Sequence, residues 1–248
     1  MSKIRPLASP RAGADTGPAT GVFLPVRWEE LTYATWGASD AGRRSRNEDH
    51  YLVAEVGLSG ALQSSLETHD RRQLLLAVAD GVGGQGGGQV ASELAIRALH
   101  WRLQAGVDPS DSPKTALIAA LQHCDDEIRR QARWRRDCWN MATALTVGLV
   151  VDRMLYVAHV GHGRAYLLRD GDARLLTRDH TLRQSLLEGG ASESELASVP
   201  TLLTQAVGGE MPTLDPQLAE VLLRPGDRVV LCSDGVSGGS GELRRAER

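Results

Sequence analysis

Phenylalanine occurs once in 248 residues, and aromatic residues together make up 4% of the chain. A core must therefore be assembled from Leu, Val and Ala. Cysteine is scarce too. Cys124, Cys138 and Cys232 show no C-x-x-C spacing, which speaks against a disulfide framework and fits a reduced, cytoplasmic protein. No stretch reaches the roughly 18 apolar residues of a membrane span. The opening MSKIRPLASPRAGADTGPAT has no apolar signal-peptide segment. There is no excess of positive charge: the formal net charge is -3, which argues against nucleic acid as a partner. What remains, 42% hydrophobic and 24% charged residues, is the composition of a globular protein long enough for a full core.

The stretch that organises the chain is LLLAVADGVGGQGGGQVAS, residues 74–92. Residues 74–79 have the length and bounding of a buried strand, with Asp80 at its exit. Six of the eight residues from Gly81 to Gly88 are glycine, and a helix is expected from Gln89. A carboxylate at that position needs hydrogen bonds, a partner charge or a cation, and glycines let backbone approach a ligand closely. The stretch therefore reads as a metal site built on Asp80, with a plain strand–turn–helix junction as the alternative.

Around it, residues 1–28, rich in Pro, Gly, Ala and Ser, read as a flexible leader. Residues 28–36 are expected as a first strand, and 51–54 as a second that follows Asn47-Glu48-Asp49-His50. Residues 57–73 are expected as a hairpin loop. Helices are expected over 89–103 and 114–136, the second capped by Ser112 with Pro113 in its first turn. The arginines at its end, Arg129, Arg130, Arg133, Arg135 and Arg136, are read as a solvated face rather than a dock for an acidic partner. The period then changes to that of strands at 144–151, 154–160 and 165–169, with an Asp170-Gly171 hairpin turn. Residues 181–200 read as helix broken at Gly189-Gly190. Strands at 218–223 and 228–232 follow, the last ending in Ser233-Asp234-Gly235.

A second strand-end Asp-Gly thus echoes Asp80-Gly81. Glu48, Asp49, Asp80 and Asp234 are hard oxygen donors without a His/Cys pattern, which suits Mg²⁺ or Mn²⁺ and not zinc. Crowded carboxylates repel unless a cation neutralises them. Two such ions could activate a water and clamp a phosphate, and Arg44, four residues before Glu48, could bind phosphate oxygens. The glycine run also fits G-x-G-x-x-G, but no parallel strand ending in an acid follows, and no Gly-Lys-Ser/Thr completes a P-loop.

Six motifs in order extend this reading. Arg44-Ser45-Arg46-Asn47-Glu48-Asp49, VADGVGGQGGGQVAS (78–92), MATAL (141–145), LYVAHVGHGRAYLL (155–168), LTRDHT (176–181) and GDRVVLCSDG (226–235) resemble the motif series of the type-2C, or PPM, family of metal-dependent Ser/Thr protein phosphatases, its bacterial branch above all. The resemblance covers residues of about 30–238. It implies an α+β fold, a four-layer α-β-β-α sandwich of two mainly antiparallel sheets. It implies two Mn²⁺ or Mg²⁺ ions bridged by Asp80, with Glu48 and the Gly81 carbonyl on one and Asp234 on the other. Asp49 would bind a metal directly or brace a group that does, and Arg44 would bind the substrate phosphate. A metal-bridging hydroxide would hydrolyse phosphoserine or phosphothreonine in substrates of a cognate kinase. A cytoplasmic monomer acting on phosphoproteins is expected, without nucleic-acid or membrane partners; the alternative is a catalytically impaired, phosphatase-like binding module.

Two departures from the family pattern matter. Gly161-His162-Gly163-Arg164 carries histidine where the family has an acid that helps hold a third metal, so that third site is expected to be lost or weakened and His162 to be a surface residue. The sequence also ends 14 residues after Asp234, before the late Asp-Asn of the family. The expectation is a phosphatase domain over 29–238, truncated before the last helix and strand, followed by a disordered tail over 239–248.

Overall fold

The computed structural model describes residues 26–28, 31–42, 44–57, 73–83, 87–107, 110–135, 138–196, 198–211 and 213–237. The tail expected over 239–248, most of the leader, most of the loop at 57–73 and residues 84–86 lie outside the described residues. The elements are β1 (Val26–Trp28), β2 (Leu31–Tyr33), β3 (Asp49–Val56), β4 (Gln73–Val82), α1 (Gly87–Leu103), α2 (Pro113–Ala132), β5 (Ala142–Val151), β6 (Met154–Val160), β7 (Arg164–Arg169), β8 (Asp172–Leu175), α3 (Leu182–Glu188), α4 (Glu193–Leu196), β9 (Val207–Gly208), β10 (Gln217–Leu222), β11 (Arg228–Cys232) and α5 (Asp234–Ser237).

Two antiparallel sheets form the body. The larger runs β10-β6-β5-β4-β3, with β9 added to β5, and the smaller runs β11-β7-β8. β5 lies at the centre, and nine of its ten residues are buried. It reads as a continuous apolar run because both of its faces are covered. Strand parity sorts the rest. Leu75, Ala77 and Ala79 of β4 join one core with α1 and α2, whereas Leu74, with Val150 and Val157, shares a second core with Leu167 of the smaller sheet. The expected fold class, two antiparallel sheets with helices outside, is borne out. Among the described residues, the two long helices both cover the larger sheet. Antiparallel pairing of β4 with both β3 and β5 removes the dinucleotide-binding alternative, which needs parallel strands.

Several boundaries differ from the sequence reading. The expected first strand is instead a hairpin in which Val26 pairs with Tyr33 and Trp28 with Leu31, so the last three residues of the expected leader are strand. β4 does not stop at Ala79. It runs on through Asp80, Gly81 and Val82 because Ala144, Thr143 and Ala142 of β5 continue the ladder. β3 begins at Asp49, so that acid belongs to the strand rather than to the loop before it. α2 starts where Pro113 predicts, but Ser112 makes no side-chain cap. α3 and α4 do separate at Gly189-Gly190, and Thr181 caps α3 by accepting from the Gln184 N–H.

The arginine run is not uniformly solvated. Arg129 is half-buried and pairs with Asp125 at 2.6 Å. It also donates to the carbonyls of Gly209 (2.8 Å) and Met211 (2.7 Å), and Asp125 accepts from the Gly208 N–H. The cause is the chain returning to β9 beside α2, with backbone carbonyls that need donors.

Candidate metal centre

Pairing register brings the first two acids together. Asp49 of β3 lies directly opposite Asp80 of β4, so their side chains leave the sheet on one face. That face is the seam between the sheets, because Asp80 shares the parity of Leu74 and not of Leu75. From the other side of the seam, β11 delivers Ser233 and Asp234. Ser233 Oγ donates to Asp49 Oδ2 at 2.6 Å, which ties the end of β11 to the start of β3.

The third contributor comes from the chain that crosses between sheets. β6 belongs to the large sheet and β7 to the small one, and Gly161-His162-Gly163 joins them. Gly161 has φ +107°, and a Cβ there would sit 2.4 Å from that of Ala144. Only glycine makes this bend. The bend turns His162 inward, which corrects the expectation of a surface residue: its side chain is 11% exposed. His162 Nδ1 is 3.9 Å from Asp80 Oδ2, and Nε2 is 3.8 Å from Asp234 Oδ2. One ligand atom from each of Asp80, His162 and Asp234 lies within 4.8 Å of the others.

Asp80 is 4% exposed. Its Oδ2 has no hydrogen-bond partner among the described residues, and neither does His162 Nδ1. Burial first, and then the charges of Asp49 and Asp234, push the Asp80 carboxyl up to about 8. A buried carboxylate oxygen without a hydrogen-bond partner among the described residues, crowded by two further carboxylates, is a candidate position for a cation. The donors are hard oxygens plus one imidazole nitrogen, which fits a divalent ion.

The remaining predicted residues flank this centre. Glu48 lies against the first turn of α1: a Cβ on Gly88 would be 2.8 Å from its Oε2, so Gly88 leaves the room its carboxylate uses. Gly81 donates its N–H to the Glu48 carbonyl at 3.1 Å, and Ser92 of α1 donates to the same carbonyl at 2.5 Å. Thr143 Oγ1 donates to the Asp80 carbonyl at 2.8 Å, fixing the end of β4. Arg44, 63% exposed, reaches to 4.0 Å from Asp234 Oδ1 on the open side. Thus Asp80 and Asp234 meet, Asp49 braces through Ser233, and Glu48 and Arg44 stand beside them. The sequence reading placed His162 at the surface and gave Ser92 and Ser233 no role. A signal for His162 existed: it precedes a glycine at a strand end, as Asp80 and Asp234 do.

Behind the crossing, His159 is fully buried. Its Nε2 faces the Gly161 carbonyl at 3.0 Å, so Nε2 carries the proton and Nδ1 accepts from the Thr146 hydroxyl at 2.9 Å. Burial, and then the charge of His180, push its pKa down to about 4. A folded value below the unfolded 6.5 gives stability that is present above pH 6.5 and lost as pH falls towards 4. Urea unfolding at pH 7 and pH 4.5 is expected to show about 2 to 3 kcal/mol more acid destabilisation in the natural protein than in His159→Gln. Equal pH slopes would reject this account of His159.

Comparison with known proteins bears on the family and the fold. The family profile described as protein phosphatase 2C matches residues 61–248. The serine/threonine protein phosphatase PstP of Mycobacterium tuberculosis is 38% identical over 169 residues, 66% of this chain and 32% of that protein. The chain thus spans about a third of the length of that relative. The serine/threonine phosphatase stp of Listeria innocua is 31% identical over 205 residues, 80% of this chain and 76% of that protein. A crystal structure of the catalytic domain of PstP in complex with two manganese ions superposes with a TM-score of 0.58 at 34% identity, covering 76% of this chain and 79% of that one.

Proposed function

The chain belongs to the protein phosphatase 2C family, and from that premise we propose that it is a metal-dependent protein serine/threonine phosphatase whose centre is Asp80, Gly81, Asp234, Glu48, Asp49 and Arg44. The observation that carries this reading is the meeting of Asp80, from the larger sheet, and Asp234, from just past the last strand of the smaller one, around a buried carboxylate oxygen that no donor among the described residues satisfies. The proposed phosphatase unit is residues 29–238. The proposed substrates are phosphoserine and phosphothreonine proteins made by a partner kinase. The proposed ions are Mn²⁺ or Mg²⁺. The three cysteines, all buried and without C-x-x-C spacing, accord with a reducing cytoplasm as the place of action, and we take the chain to act as a monomer.

Asp80, Asp234 and the Gly81 carbonyl would hold the ions, with Glu48 and Asp49 at their edge. Bound there, a divalent pair supplies a water of lowered pKa and a Lewis acid for the phosphate. Asp49, held by Ser233, would tie the start of β3 to the end of β11 beside the ions. Arg44 projects from the open side, where its planar donors suit two phosphate oxygens. In the net hydrolysis a water oxygen would bond to phosphorus as the phosphorus–oxygen ester bond breaks, a proton from that water would pass to the departing serine or threonine oxygen, and no phosphoryl group would be transferred to a protein side chain.

The test is turnover of a phosphothreonine peptide and of a small aryl phosphate by the full chain during Mn²⁺ titration. Metal-stimulated hydrolysis abolished by chelator is expected. Metal binding without hydrolysis of either substrate would leave a phosphatase-like binding module instead. Arg44→Ala is expected to raise KM for the peptide roughly tenfold with a smaller change in kcat, because it binds ground and transition states alike. A fall in kcat with KM unchanged would remove Arg44 from the substrate-binding role.

A further inference from the structure

We infer that His162 is a nitrogen ligand to a divalent ion shared with Asp80 and Asp234, and that it tilts the centre towards first-row transition ions over Mg²⁺. The inference rests on the phosphatase reading only for the place of the metal. Three observations carry it. His162 is turned inward by Gly161 and is almost fully enclosed. His162 Nδ1 stands 3.9 Å from Asp80 Oδ2, too long for a hydrogen bond, and a single nitrogen of the ring lies within 4.8 Å of one carboxylate oxygen from each of Asp80 and Asp234. That grouping is close to the spacing of atoms that share one ion at about 2 Å from each, and a small side-chain adjustment would close it. Finally, Asp80 Oδ2 and His162 Nδ1 are both buried without a hydrogen-bond partner among the described residues. Two complementary polar atoms left unsatisfied side by side mark the position of something that both can bind.

The ring is also held. Gly161 accepts from His159 Nε2 through its carbonyl, and its N–H faces His180 Nδ1 at 3.4 Å. Gly163 fits closely against Thr146, where a Cβ would lie 2.6 Å from Oγ1. The two residues that flank His162 are therefore fixed, and its orientation is built rather than incidental. Fixed outer contacts of this kind are what orient a ligating imidazole. Imidazole suits borderline transition ions, whereas Mg²⁺ is served by carboxylate, carbonyl and water. A centre with one imidazole among its carboxylates gains selectivity for the first class.

The experiment uses the full chain and the metals alone. Mn²⁺ and Mg²⁺ are titrated by calorimetry into the natural protein, His162→Asp and His162→Gln, each checked for folding by circular dichroism. The Mn²⁺-loaded forms are then examined by electron spin-echo modulation. The natural protein is expected to show nitrogen modulation that both variants lose. His162→Asp is expected to lower the ratio of Mn²⁺ to Mg²⁺ affinity by roughly tenfold or more, with Mg²⁺ binding strengthened. Bound Mn²⁺ with no His162-dependent nitrogen signal, or an unchanged affinity ratio, would overturn the inference and leave the phosphatase reading standing. Absence of Mn²⁺ binding in the natural protein would remove both.

Discussion

Replacing Asp80 by asparagine is expected to abolish tight divalent-ion binding and lower phosphatase turnover by at least about 10³-fold, while making the metal-free protein more stable. The two effects have one cause. Asp80 is buried, its Oδ2 is unpartnered, and Asp49 and Asp234 crowd it. In the absence of a cation that arrangement is unfavourable, because the charged form is desolvated and repelled. An amide of the same shape carries no charge and offers donors to the neighbouring carboxylates. Urea unfolding in chelator at pH 8 should therefore show Asp80→Asn more stable by about 1 kcal/mol or more. Calorimetry with Mn²⁺ should show no high-affinity binding. A metal-free variant less stable than the natural chain would mean that Asp80 serves the fold rather than the ion.

Gly81→Ala is the second large effect, and it comes from backbone. A Cβ on Gly81 would lie 2.1 Å from the carbonyl oxygen of Gly88, 2.3 Å from its carbonyl carbon and 2.8 Å from the Glu48 carbonyl oxygen. None of these atoms belongs to a flexible side chain, so β4 or the start of α1 has to move. A loss of about 3 kcal/mol or more is expected, seen as a fall in melting temperature of roughly 6 to 12 °C at this chain length. Metal affinity should fall as well, because the same shift displaces Asp80. Gly235→Ala is the control. Among the described residues its added Cβ meets only Ser233 Oγ, at 3.9 Å, and it should leave stability nearly unchanged. Similar losses for both variants would refute the enclosure argument at Gly81.

These two glycines show how far the chain could be read unaided. Asp80-Gly81 and Asp234-Gly235 look alike as strand-end pairs, and their convergence was legible in outline from the run at 74–79, the β-period after Met141 and the six ordered motifs. Their difference was not legible. It depends on α1 starting at Gly87 and packing onto β4, which is a tertiary contact. His162 was misread for a similar reason. Residue type argued for the surface, whereas its direction is set by the crossing from β6 to β7 and by the positive φ of Gly161. Arg129 repeats the lesson: a basic helix end reads as solvated until the return to β9 brings carbonyls to it. Strand interiors were clear because alternation and apolar runs are local signals. Their ends were less clear, since the ladder stops where a neighbour stops.

The position of the centre on the seam has a mechanical corollary. Asp80 is anchored in the larger sheet, Asp234 follows the last strand of the smaller one, and His162 sits on the strap between them. An ion gripping all three acts as a rivet through two plates. Its affinity is then partly cohesion between the plates, so chelation would relax amide protection first at β11 and the strap, and leave the helix-covered sheet the most slowly exchanging part of the molecule.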